Sequence, residues 1–359
     1  MPLHTPRSIL LVRPSALGDV CRTVPLAASL RCAFPQAAID WLVQDTFAEA
    51  VEAHPDVRTV VPFPRRRLGQ LMKTGRIDRV LKWSRSLRTP GYDLAIDAQG
   101  LFRSAWLTYS SRAPRRIGFA NAAEGAAIFY NERHRVDRSM HTVDRMLALL
   151  ERAGIEPVPN MRLYTTPDAQ RHAAAVCPPK PIVIAPTSRW PSKRWPIDRF
   201  RTLVDELLNA TDAHIVVVGG PGEQDQCAPL LELAHQSNRV VDLVGKTSVG
   251  QLMGVIERAR LVVANDSAAL HMAVGFNRPI VALFGPTDVA RVGPYRRESD
   301  VIQHRLPGEP INHKNDAQAA LMRCIGVEEV LNACLVRLNE RNAGACPGAP
   351  LNPSRPHRR

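Results

Sequence analysis

Short runs rich in Ile, Leu and Val alternate with amphipathic stretches along most of the chain. SILLV (8–12) reads as a strand, VPLAASLRCAF (24–34) as a helix and AIDWLV (38–43) as a strand. FAEAVEAH (47–54) reads as a helix, VRTVVPF (57–63) as a strand, DLAIDAQ (93–99) as a strand and LFRSAWLTYSSR (101–112) as a helix. VDRMLALLERAG (143–154) carries a helical stripe and stops at Gly154. After CPPKP (177–181) the alternation starts again with PIVIAP, HIVVVGG, RVVDLVG, RLVVAND and PIVALFG as strands. The intervening WPIDRFRTLVDELLNA, QCAPLLELAH, SVGQLMGVIERA and ALHMAVGF read as helices. Continuous apolar strands of this kind belong to parallel sheets covered on both faces.

The pattern predicts an α/β protein of two doubly wound, Rossmann-like domains with a cleft between their strand C-termini. The first domain is expected over 1–176 and the second over 177–342, with the last helix a candidate to pack back on the first. The tail 343–359, rich in Pro, Gly and Arg, is expected to be disordered.

Composition adds little until charge is considered. The 359 residues are 45% hydrophobic, but the net charge is +13. Between Arg65 and Arg88 there are nine Lys or Arg against one acid, Asp78. Ile77, Val80, Leu81, Ser84 and Leu87 fall there at helical spacing, which reads as a basic amphipathic helix suited to an anionic membrane surface or ligand. Nucleic acid is disfavoured, because no zinc-finger spacing or RNP-like aromatic run occurs. Seven scattered cysteines without a CxxC pair predict reduced thiols. The N-terminal apolar run is too short for a signal peptide, and no stretch approaches a membrane span. A cytoplasmic location follows as the expectation.

Familiar cofactor and metal motifs are missing. No GxGxxG follows a strand, GKT (245–247) lacks the upstream glycine of a P-loop, and neither HExxH nor DxD occurs. No cofactor and no metal site are implied. The informative polar residues sit at strand exits. Asp19 follows Gly18 after the first strand. Thr187 and Ser188 leave the first strand of the second half, with Lys193 just before a helix. In NDSAALH, a strand ends at Asp266 and a helix begins. Ser267 and the N–H groups of Ala268 and Ala269 would then be free donors, suited to a phosphate, with His271 one turn further on. Helix capping accounts equally well for Asp19 and for Asp266–Ser267, solvent exposure for Lys193, and core packing for His271.

ALGDV (16–20), DAQGLFRSA (97–105), FYN (129–131), HTVDR (141–145), SKRWP (192–196), NDSAALH (265–271) and FGPTD (284–288), in that order, carry a resemblance. The chain resembles the heptosyltransferase family (glycosyltransferase family 9), which transfers ADP-linked heptose to the lipopolysaccharide inner core. DAQGL and GPTD lie nearer the branch that adds the first heptose. The resemblance implies a GT-B architecture and an inverting, metal-independent transfer from a nucleotide-sugar donor to an anionic glycolipid at the inner face of a membrane. It implies Asp19 as general base, and Lys193, Asp266, Ser267 and His271 around the donor diphosphate. Glu223 would then meet the donor ribose, and Arg65, Arg66 and Arg67 the acceptor. Two positions depart from the family: Ala268 stands where a glycine is usual, and Ala123–Glu124 where Arg–Glu is usual. Another donor, an epimerase of the same architecture, or a non-catalytic nucleotide-sugar or polyanion binder remain the alternatives.

Overall fold

A computed structural model describes residues 5–305, 312 and 315–340. The tail 343–359 lies outside them. Two six-stranded sheets are present, and among the described residues their strands pair in parallel. The first holds β1 (Ser8–Val12), β2 (Ala38–Gln44), β3 (Thr59–Phe63), β4 (Leu94–Asp97), β5 (Arg115–Phe119) and β6 (Glu132–His134), in the order β3-β2-β1-β4-β5-β6. The second holds β7 (Ile182–Ala185), β8 (Ile215–Gly219), β9 (Val240–Val244), β10 (Leu261–Asn265), β11 (Ile280–Phe284) and β12 (Val301–Gln303), in the order β12-β11-β10-β7-β8-β9. Both halves therefore have the same doubly wound order. In each, the first strand lies between the second and fourth, so the strand order reverses there. Ligands bind outside the strand C-termini at such a reversal.

The pleat explains the apolar strands. Leu10 and Val12 of β1 face one way, into a cluster with Leu42, Ala95 and Leu107. Ile9 and Leu11 face the other way, with Trp41, Val43 and Ile96. Three elements escaped the apolar pattern. RRIGF of β5 opens with two arginines, and β6 and β12 are three-residue edge strands with no buried residue. FAEAVEAH is not a full helix but a 3₁₀ segment, Asp45–Ala50. Pro55 follows closely and disfavours helical geometry in the residue before it.

Two helices bear on the expected division of the chain. The helix Pro167–Val176, assigned above to the first half, packs instead on Val249–Arg258 of the second. Gly254 permits this approach, since a Cβ there would lie 2.5 Å from the Ala169 carbonyl oxygen. The chain thus crosses to the second half before residue 167. The helix Val327–Glu340 packs on the second half. Its stripe Val330, Cys334 and Leu338 joins the core of Phe200, Leu203 and Ile184. The basic stretch is also two helices, Arg65–Lys73 and Ile77–Ser86, because the chain turns at Gly75 with φ +71°.

Candidate active site

β1 ends at Val12, and the chain turns through Pro14, Ser15 and Ala16 into the short helix Leu17–Cys21. Asp19 does cap this helix, since its Oδ2 accepts from Ala16 N at 3.2 Å. Capping is only part of its surroundings. Arg13 Nη2 lies 3.2 Å from Oδ2, and Arg22 Nη2 donates to Oδ1. Both guanidiniums are almost fully buried, whereas the Asp19 side chain keeps 27% exposure. Burial alone would raise the Asp19 pKa, but the two arginines and the Ala16 N–H outweigh it. They hold the carboxyl well below the usual range, so it is ionised at every physiological pH. On the strand next to β1, at the end of β4, Asp97 is buried and accepts from Tyr130 Oη at 2.7 Å and from the N–H groups of Gln99 and Gly100. It shapes the DAQGL turn from below.

In the second half, β7 and β10 occupy the corresponding central positions. Lys193 Nζ reaches Asp266 Oδ2 at 2.6 Å, with both side chains largely buried. Lys193 is therefore a positioned ammonium rather than a solvated one, and Asp266 is what positions it. Ser188 Oγ donates to the Asp266 carbonyl at 3.4 Å. Thr187 and Ser188 are both buried at the exit of β7. Asn265, fully buried, ties the two strand exits together. Its amide donates to Pro186 O at 2.5 Å, and its carbonyl accepts from Trp195 N at 3.2 Å. Ser267 is the N-cap of the helix Ala268–Gly275 but its side chain makes no capping bond. The first N–H groups of Ala268 and Ala269 remain available, and such groups with the helix dipole favour an anion.

The two strand-exit regions touch. A Cβ on Gly18 would lie 2.8 Å from His271 Cδ2 and 3.6 Å from Ala268 Cα. His271 is 3% exposed, and burial, followed by Arg22, presses its pKa well below 6.5. It is a neutral imidazole lying among Arg22, Asp19, His141 and Lys193. Further bonds join the halves nearby. His141 Nε2 meets Gly293 O at 3.1 Å, Thr142 Oγ1 donates to Arg291 O at 3.0 Å, and Tyr295 Oη donates to Asp144 Oδ1 at 2.6 Å.

Two predicted groups lie further out. Glu223 Oε2 accepts from Gly220 N at 2.6 Å, closing the GGPG turn after β8. Arg65, Arg66 and Arg67 form the exposed first turn of the helix after β3, and Arg65 is near enough to Arg103 to lower its pKa, behind the larger effect of burial. Glu124 accepts from Phe102 N at 3.1 Å, at the start of the helix Phe102–Ser110. Arg13, Arg22, Asp97 and Asn265 were not singled out from sequence as site residues. A buried arginine or asparagine reads as an ordinary surface residue until its partner is known. Among the described residues no His, Cys, Asp or Glu cluster could hold a metal ion. None of their helices is long and apolar enough to cross a membrane.

An ionised acid at one strand-order reversal lies across from an ammonium and a helix start at the other, an arrangement able to hold an anionic group close to a carboxylate. The family model for glycosyltransferase family 9 (heptosyltransferase) matches residues 80–321. Lipopolysaccharide heptosyltransferase 1 of Pseudomonas aeruginosa is 31% identical over 306 residues, covering 84% of this chain and 85% of the relative. The structure of Escherichia coli ADP-heptose lps heptosyltransferase II superimposes with a TM-score of 0.76 at 23% identity, covering 93% of this chain and 99% of that one. E. coli heptosyltransferase WaaC with ADP-2-deoxy-2-fluoro heptose does so with a TM-score of 0.72 at 24% identity, again over 93% and 99%. The chain belongs to glycosyltransferase family 9, has its GT-B architecture and is a glycosyltransferase.

Proposed function

We propose that this enzyme transfers a heptose from an ADP-heptose-type donor to an anionic inner-core glycolipid of lipopolysaccharide, with inversion and without a divalent metal. The observation that carries the reading is the contact of the Asp19 loop with the start of the helix Ala268–Gly275. An acceptor hydroxyl held at Asp19 and a diphosphate at that helix would share one reaction centre. The acceptor oxygen attacks the anomeric carbon from the face opposite the diphosphate, and the bond to the phosphate oxygen breaks. The hydroxyl proton passes to Asp19. A carboxylate held so strongly ionised is a weak base, but the attacking oxygen becomes strongly acidic as its new bond forms, so a late transfer suffices. The leaving diphosphate gains negative charge, which Lys193, Ser267 and the N–H groups of Ala268 and Ala269 meet. Thr187 and Ser188 line the same side, neutral His271 supplies a hydrogen bond, and Glu223 takes the donor ribose with its free oxygen. Arg65, Arg66 and Arg67 bind the acceptor's anionic groups.

From the acceptor class we also infer work at the inner face of a membrane. Met72, Ile77 and Leu81 are 63, 56 and 39% exposed within the basic helices. Phe102 and Ile128, also exposed, follow β4 and β5. Apolar side chains ringed by Lys and Arg suit an anionic lipid surface.

The test is transfer by the purified protein. With ADP-heptose and a heptose-free inner-core glycolipid, mass spectrometry should find one added heptose of inverted anomeric configuration, unaffected by a chelator. ADP at 100 times its Kd should stabilise the fold by about 2.7 kcal/mol, and UDP and GDP should not. A response to UDP or GDP instead of ADP, or donor turnover that needs no acceptor, contradicts the proposal.

A further inference from the structure

Arg13 and Arg22 both grip Asp19, but their second contacts differ. Arg13 Nη1 donates to Ala98 O at 2.5 Å, inside its own half. Arg22 Nη1 donates to Val292 O at 2.8 Å, in the second half. Val292 ends the short helix Val289–Val292 that follows FGPTD. The same segment is docked on the first half by the bonds of Arg291, Gly293 and Tyr295 to Thr142, His141 and Asp144. Arg22 is 6% exposed, and its Nε is buried without a hydrogen-bond partner.

We propose that Arg22 is a positioning residue that couples the seating of segment 289–295 to the orientation of Asp19. The proposal rests on the reading of Asp19 as the base. While the segment is seated, the Val292 carbonyl holds one guanidinium amine, so Arg22 meets the carboxylate through the other alone. When the segment lifts, the freed amine can join the first in a two-pronged pair with Asp19, a strong and directional arrangement. That pair draws the carboxylate towards Arg22 and turns it out of the position it holds between Arg13, Arg22 and the Ala16 N–H. The groups around the carboxylate are Arg13 from the exit of β1, Arg22 from its own helix and His271 from the facing helix, with His141 and Lys193 behind His271. Of these, the two arginines bond Asp19 directly, and Arg22 alone of that pair also bonds the second half.

A double-mutant cycle tests this. Tyr295→Phe loosens the segment by removing the bond to Asp144 without touching Arg22 or Asp19. On the otherwise unchanged enzyme it should lower kcat by about 3- to 10-fold, with the KM for donor little changed. Arg22→Gln should itself lower kcat, and Tyr295→Phe added to it should cost nothing more. Arg22→Lys keeps a cation beside Asp19 but cannot span both contacts, so it should restore thermal stability without restoring kcat. Independent, multiplicative losses in the cycle would overturn the proposal, as would full kcat in Arg22→Lys. Asp19→Asn run in parallel separates the two readings. If it keeps near-normal kcat, the base assignment fails whatever the cycle returns.

Discussion

Gly18 and His271 meet across the two halves of the protein. A Cβ on residue 18 would lie 2.8 Å from His271 Cδ2, closer than side-chain atoms normally approach. The glycine lets the acid-bearing helix rest directly on the helix that would hold the diphosphate. Gly18→Ala should therefore push the two apart and lower kcat by about 10²-fold, the scale of a misplacement near 1 Å. In a His271→Ala background, where the space is open, the same change should cost less than about 3-fold. Equal losses in both backgrounds would show that the contact does not set the reaction geometry.

The reason for Gly18 could not be read from the chain, although its place could. The sequence marks Asp19, Lys193 and the Asp266–His271 helix start as polar groups at strand exits. It marks the strands because their residues are buried on both faces, as Leu10 and Leu11 are. It misses β6 and β12, whose edge positions leave them without an apolar pattern. It misses Arg13 and Arg22 because their meaning lies in partners as distant as Val292, 270 residues on. Asp266 is the instructive case. The sequence marks it as part of a phosphate-suited helix start, and the structure adds its partner, the Lys193 ammonium.

In the proposed reaction Lys193, held by that pairing, is the positioned charge that meets the leaving group. Lys193→Ala should raise the barrier by about 2.7–4 kcal/mol, the usual cost of one such donor. ADP binding, followed by calorimetry, should weaken as well. Unchanged ADP affinity together with unchanged kcat would remove Lys193 from the site.

Burial presses the pKa of His54, His141 and His271 below 6.5. Their neutral forms are favoured in the folded state, so the unfolded chain takes up more protons as the pH falls through 6.5. Stability rises with pH wherever the unfolded state binds more protons. The stabilisation is thus present above pH 6.5 and lost as the pH falls towards the folded-state values. Tm should drop between pH 7 and 5, and His271→Gln should flatten that drop. A Tm independent of pH over this interval would contradict the burial argument.

Met72, Ile77 and Leu81 are exposed among Lys73, Arg76, Arg79 and Lys82. Replacing the three apolar residues by Ser should abolish sedimentation with anionic vesicles even at low salt, since each inserted side chain contributes about 1.5–3 kcal/mol. Raising the salt should weaken binding of the unaltered protein by screening the basic residues. Undiminished binding by the triple variant would leave these helices as solvated surface.

In the proposed reaction Asp19 accepts the acceptor's proton while the second half holds the donor. The direct measurement compares Asp19→Asn with the unaltered enzyme for both kcat and the Kd of ADP. A base contributes roughly 10²–10⁴-fold, so kcat should fall at least that far while ADP affinity stays within about 2-fold. A parallel loss of both, or a kcat within a few-fold of normal, would mean that Asp19 caps its helix and does nothing more.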